Sequence, residues 1–218
     1  MCRRGPRYVD VRGGEIIEMS GNEAIRRSLP GVIEEIVAAD APSHCILVYK
    51  DLRSFREIYT KCTIELLRRN EIVILWPFYE EVENTRFWLE SSGVDVSGYQ
   101  RSMRLLIIDA LDVYYNKEDD IVELISEFAA YARNNGKRRV VIIGDLGAFR
   151  LIERIDQLIS YEAWVGTRTM DNFKVFCYCH VGDIRDLERN PLTRPYGSNS
   201  GKLYVINDMY ESESLAAS

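Results

Sequence analysis

The chain has 218 residues, 46% of them hydrophobic and 28% charged, with a formal net charge of −6. That length buries one substantial core, and the composition is that of a globular domain. The acidic balance argues against direct nucleic-acid binding, which needs a basic face to neutralise phosphates, and no apolar run approaches the roughly 20 residues of a membrane span.

The first fifteen residues, MCRRGPRYVDVRGGE, are basic without a following apolar stretch, so they do not read as a secretory signal and a cytoplasmic location is expected. Five cysteines, an odd number, sit in largely apolar surroundings and fit reduced thiols better than a disulfide framework. Basic clusters fall at residues 3–7, 68–69 and 137–139; the last two lie at expected helix ends, where cations complement the helix dipole.

In chain order, residues 1–42 are the least regular and read as an N-terminal accessory segment. Residues 15–19 have the makings of a short strand. Residues 22–39 have helical spacing interrupted by Pro30, a residue tolerated at a first helical position. From residue 43 the pattern becomes regular. Residues 44–49 form an apolar strand, and Ser54 to Glu57 a capping box before a helix whose inner face is Phe55, Ile58, Tyr59, Cys62 and Leu66. A strand at 72–76 and a helix at 80–92, stopped by Gly93, follow. Then come a strand at 105–109 and a long helix at 117–135, with Ile121, Leu124, Ile125, Phe128 and Ala132 as its buried stripe and Gly136 as its stop. Further strands are expected at 139–143, 173–179 and 202–207, with helices at 148–161 and 182–188 and a Pro/Gly/Ser loop at 189–201. Residues 43–207 thus make one domain, and 208–218 an acidic tail prone to fray.

Alternating strands and helices with right-handed crossovers give an α/β fold of three layers, a mostly parallel sheet with helices on both faces. Ligands of such sheets bind at the carboxyl ends of the strands. The join between the strand at 44–49 and the next helix is therefore informative. Nucleotide-binding sheets place a glycine-rich phosphate loop there. This chain places Lys50, Asp51, Leu52, Arg53 and Ser54, with no glycine.

The run EIVILWPFYEEVENTRFWLESSGVDV, followed by RLLIIDALDVYY and KRRVVIIGDLGAF, resembles the RecA-like ATPases of the KaiC type. HCILVYKD, RLLIIDALDVY, LIERIDQLISYEAW and FKVFCYCH are more similar to the MEDS domain, a KaiC-related sensory domain of methanogens and methylotrophs, over roughly residues 43–180. The resemblance implies a RecA/KaiC-like fold, a small-molecule ligand with hydrocarbon derivatives among the candidates, and a regulatory protein as partner. Ring assembly among KaiC relatives makes a homo-oligomer an open alternative.

The same resemblance places Glu80 and Glu81 where related ATPases keep catalytic carboxylates, and Asp109 where a strand-end aspartate reaches magnesium. Lys50 and Ser54 imitate the lysine and hydroxyl of a phosphate loop, but nothing imitates its glycines, so ATPase activity is not expected. The bland reading of the carboxylates is helix capping. Cys177, Cys179 and His180, with His44 and Cys45, would make a zinc set only if opposite ends of two strands met, which a parallel sheet disfavours; no metal or cofactor is expected. Tyr161 and Glu162 read as structural. The candidate ligand-binding residues are Tyr49, Lys50, Asp51, Arg53, Trp76, Glu80, Glu81, Asp109, Tyr114 and His180. Phe78, Tyr79 and Tyr115 lie nearby, and core packing is the competing account for about half of the aromatics. The first reading is a non-enzymatic sensory domain; the alternatives are a degenerate nucleotide-binding protein and an interaction module without ligand.

Overall fold

The computed structural model describes residues 25–27, 29–39, 43–116, 121–137, 139–148, 172–180, 182–183 and 202–206. Its elements run β1 (Ile25–Arg27), α1 (Leu29–Ala38), β2 (Ser43–Tyr49), α2 (Leu52–Arg68), β3 (Ile72–Trp76), α3 (Val82–Ser91), α4 (Val96–Arg101), β4 (Leu105–Ile107), α5 (Ala110–Asn116), α6 (Ile121–Asn134), β5 (Val140–Asp145), β6 (Phe173–His180) and β7 (Lys202–Ile206). The strands form one seven-stranded sheet in the order β1-β7-β2-β6-β5-β3-β4, and every pairing is parallel.

The order explains the layers. The chain crosses from β2 to β3 in one direction and returns from β4 to β5 in the other, so right-handed connections put α2 on one face and α5 and α6 on the opposite face. Strand side chains alternate accordingly. Leu47, Val73, Leu75, Val141, Ile143 and Phe176 pack with α1 and α2. Ile72, Ile74, Val140, Ile142, Val175 and Cys177 pack with α5 and α6. The central strands are buried on both sides, which is why they read as unbroken apolar runs.

Several boundaries differ from the sequence expectation. A strand, β1, stands at the start of what reads as a helix from residue 22, and α1 begins only at Leu29, with Pro30 in its first turn. β1 pairs in parallel with β7, so this part of the N-terminal segment extends the sheet. The cap of α2 lies three residues earlier than the Ser54–Glu57 box: Asp51 accepts from the Ser54 backbone N–H at 2.9 Å. β5 extends to Asp145, two residues past the expected end. The long helix expected over 117–135 is described as α6, with Ile125, Phe128, Ala129 and Ala132 buried. The expectations for residues 15–19, 149–171, 184–201 and 207–218 lie outside the described residues.

The amino ends of the strands are held by buried charge. Lys174 Nζ lies 3.4 Å from Glu71 Oε2, and both side chains are fully buried. Arg139 approaches the same carboxylate at 3.9 Å and donates to the Ala39 carbonyl at 3.1 Å, while Arg69 donates to the Val37 carbonyl at 2.9 Å. The last carbonyls of α1, which its own helix leaves unsatisfied, are thus taken by arginines from the ends of α2 and the start of β5. Burial pushes the Lys174 ammonium below the ordinary lysine range, and Glu71 opposes that shift. Glu71→Gln strands a buried ammonium and is expected to cost about 3–5 kcal/mol in a urea titration. A loss under about 1 kcal/mol would show that the pair is not a stability determinant.

Candidate functional site

All seven strands of the parallel sheet end on one side, and the chemistry gathers where β2, β6 and β5 end. β2 and β6 are in register with Tyr49 opposite His180, and β5 and β6 with Asp145 opposite Tyr178. The Tyr49 hydroxyl donates to Asp145 Oδ2 at 2.8 Å, spanning β6, and both residues are buried. The other carboxylate oxygen accepts from the Gly147 backbone N–H at 2.9 Å. Beside them the Tyr79 hydroxyl lies 2.8 Å from each oxygen of Asp183, a second buried carboxylate.

Desolvation raises the Asp145 carboxyl to about 7, the Gly147 and Tyr49 hydrogen bonds pull the other way, and the negative charge of Asp183 pushes it up further. Burial also raises the Tyr49 phenol, with the Asp145 charge adding to the effect. The tyrosine therefore stays a donor throughout the physiological range.

His180 ties β6 to the start of α2. Its Nδ1 accepts from the Gly182 N–H at 3.2 Å, so its Nε2 carries the proton and donates to the Lys50 carbonyl at 2.9 Å. Aromatic rings fill the space between these polar groups. Tyr49 stacks on Phe55 with centroids 4.9 Å apart, Phe55 meets Tyr178 edge-on at 5.2 Å, and His180 stands 5.4 Å from Tyr49 and 5.7 Å from Tyr79. Phe78 and Tyr79 lie directly over the turn after β5: a methyl group on Gly147 would come within 2.7 Å of both rings. Glycine is needed there for that close approach.

The other expected site residues are distributed as follows. Lys50 and Arg53 are exposed beside the start of α2. Asp51 spends its carboxylate on the α2 cap. Glu80 is buried and held by Arg56 Nε at 2.5 Å and the Tyr59 hydroxyl at 2.7 Å; Glu81 is exposed at the start of α3 with no side-chain cap bond. Trp76 and Tyr114 pack together on the other face of the sheet, edge to face at 5.8 Å. Asp109 accepts from the Leu111 N–H at 2.7 Å, opening α5. It follows the edge strand β4, four strands from β2, or about 19 Å at the usual spacing. The acid that faces β2 is Asp145. The structure therefore brings Tyr49, Lys50, Asp51 and His180 together, sets Glu80 behind Tyr59, and leaves Trp76, Tyr114 and Asp109 elsewhere. Tyr115 has no described side chain.

Asp145 and Asp183 are the residues that sequence reasoning missed. The available signal was a Gly-Asp step closing the apolar run Val140 to Ile143. The zinc reading meets the expected obstacle: His44 pairs with Val175, whereas Cys179 pairs with Val48, four residues farther along. Among the described residues no group of three potential ligands converges on a metal position. Cys62, Cys177 and Cys179 are buried.

The family model of the methanogen/methylotroph, DcmR sensory domain, MEDS, matches residues 43–187, well over half of the chain. The chain belongs to the MEDS family. The match begins at the first residue of β2 and ends just beyond Asp183, so it spans both tyrosine–aspartate pairs. No curated protein matches this MEDS chain. Among its described residues no helix is long and apolar enough to cross a membrane.

The raised Asp145 gives a pH test. Unfolded, the carboxyl titrates near 4, as ordinary aspartates do; folded, it holds its proton to about 7. Between those values the native state binds the extra proton, so this group's contribution to stability falls as pH rises, by at most about 1.4 kcal/mol per pH unit, and levels off above 7. Asp145→Asn keeps an acceptor for Gly147 and removes the titration. Its stability relative to the parent, measured by urea unfolding, is expected to improve steadily from pH 4.5 to 7. A difference independent of pH would contradict the assignment.

Proposed function

We propose that this MEDS domain is a non-enzymatic, ligand-responsive sensory module. It binds a small molecule at the carboxyl ends of β2, β6 and β5 and passes the bound state to a regulatory protein. The observation that carries the reading is the start of α2. β2 and α2 are joined by Lys50 and Asp51 alone, and the Asp51 carboxylate takes the Ser54 amide, one of the donors that a bound phosphate would use. The charge of Asp183 lies close by, which further disfavours a polyphosphate. Glu80, tied to Arg56 and Tyr59, is committed to structure rather than to activating water.

What the ends of the strands supply is an aromatic lining with a few polar groups, the usual make-up of a small-molecule site. Hydrocarbon derivatives with one hydrogen-bonding group suit it. Tyr79 is 39% exposed, so it is the approachable member of the cluster. A ligand that donates to Asp183 competes with the Tyr79 hydroxyl, and its preference for the displaced tyrosine would create the two states a sensor needs. A second reading, an interaction module with no enclosed ligand, draws support from how closely Tyr49, Phe55 and Tyr178 already pack.

Two measurements test this. Thermal melting with magnesium and ATP is expected to show no stabilisation and no phosphate release; a saturating nucleotide at a hundred times its Kd would add about 2.7 kcal/mol, and a shift of that size would overturn the reading. Tyr79→Phe, which removes the hydroxyl donated to Asp183, is expected to lower stability by about 1–3 kcal/mol in urea. Unchanged stability would deny the pair its role as the resting state.

A further inference from the structure

Helix α3 is turned inside out by the ordinary rules of amphipathic packing. Its buried positions are Thr85 and Leu89. Its largest side chains face outward instead: Phe87 is 58% exposed and Trp88 38%. The two rings meet edge to face with centroids 5.6 Å apart, forming one apolar ridge. Arg56 braces the ridge from α2, with its guanidinium 4.8 Å from the Trp88 ring centroid while it also pairs with Glu80. Isolated exposed apolar residues need no explanation, but two adjacent large aromatics on a ten-residue helix mark a contact surface.

Charge around the ridge selects its partner. From Glu81 to Asp95 every exposed charged residue is acidic: Glu81, Glu83, Glu90 and Asp95. The one base in that stretch, Arg86, is half-buried and donates to Gln100. A two-fold contact between copies of this chain through the ridge would set Glu83 of one copy toward Glu90 of the other, which like-charge repulsion opposes. Phosphate-bearing surfaces, nucleic acid or anionic lipid, are repelled in the same way. We infer that the α3 face, centred on Phe87 and Trp88, docks a basic amphipathic segment of a partner protein, whose apolar residues seat on the aromatic ridge and whose lysines or arginines meet the surrounding glutamates. Aromatic centres with complementary polar rims are the usual anatomy of such contacts. The proposal supplies an output face for the sensory module, but it is argued from α3 alone.

The test uses the full chain and two synthetic 18-residue amphipathic peptides, one of leucine and lysine, the other with glutamate in place of lysine. Calorimetric titration is done without any small molecule, so its failure leaves the ligand reading standing. The lysine peptide is expected to bind, more weakly at 0.5 M salt than at 0.05 M, and the glutamate peptide not to bind. Phe87→Ala, at an exposed position, is expected to keep the melting temperature and weaken the lysine peptide about tenfold. Glu83→Lys combined with Glu90→Lys should remove binding, whereas Glu123→Lys, exposed on α6 across the sheet, should not. The proposal is overturned if both peptides bind alike, if the lysine peptide does not bind, or if the α3 variants leave its affinity unchanged. It is also overturned if sedimentation shows a dimer that Phe87→Ala dissociates, which would give the ridge to a second copy.

Discussion

The hydrogen bond from Tyr49 to Asp145 organises one end of this molecule. It joins β2 to β5 across β6 and buries a carboxylate whose proton is released only near neutrality. Everything around it is arranged on the same face of the sheet. Phe55 stacks on the tyrosine, Tyr178 packs beneath, His180 closes the side toward α2, and the turn after β5 gives its Gly147 amide to the remaining oxygen. A buried carboxylate is tolerable only when its oxygens are satisfied or its proton is kept, and here both apply. A bonded tyrosine, a helix-capping aspartate and stacked rings make this corner of the sheet apolar and edged with acid.

The opposite end of the sheet is organised by charge as well, but with a different outcome. Glu71 and Lys174 are both fully buried and close enough to neutralise each other, and Arg139 extends the group to the end of α1. The cluster fastens the N-terminal helix to the sheet. The two ends thus illustrate two uses of buried charge: a closed ion pair that holds elements together, and acids held by tyrosine hydroxyls.

The architecture was legible because it rests on periodicity. Apolar runs marked the central strands, Gly93 and Gly136 marked helix ends, and the alternation of elements gave the parallel sheet. The family was legible on a different ground, the resemblance carried by runs such as HCILVYKD and FKVFCYCH. The site was legible in part. Tyr49 and His180 stand out because they close strands, and their pairing follows from strand register. Asp145 did not stand out, because strand order is a long-range property: nothing local says that β5 lies near β2 while β4 lies at the far edge. Asp109, which the resemblance marks as a strand-end aspartate, follows β4 at that far edge. Trp76 shows a related limit. It closes a strand as Tyr49 does, yet it belongs to the core on the α5 and α6 side rather than to the core beneath α2.

The short link between β2 and α2 has a mechanical meaning. Lys50 is gripped through its carbonyl by His180 and Asp51 through its carboxylate by the helix it caps, so two residues with both ends anchored make a fixed wall. The segment from Pro77 to Glu81 is the opposing wall: Arg56 and Tyr59 hold Glu80, and Tyr79 meets Asp183 through its hydroxyl and Phe78 and His180 through its ring. That wall runs directly into α3, so the helix that carries the exposed aromatic ridge starts from the edge of this corner of the sheet.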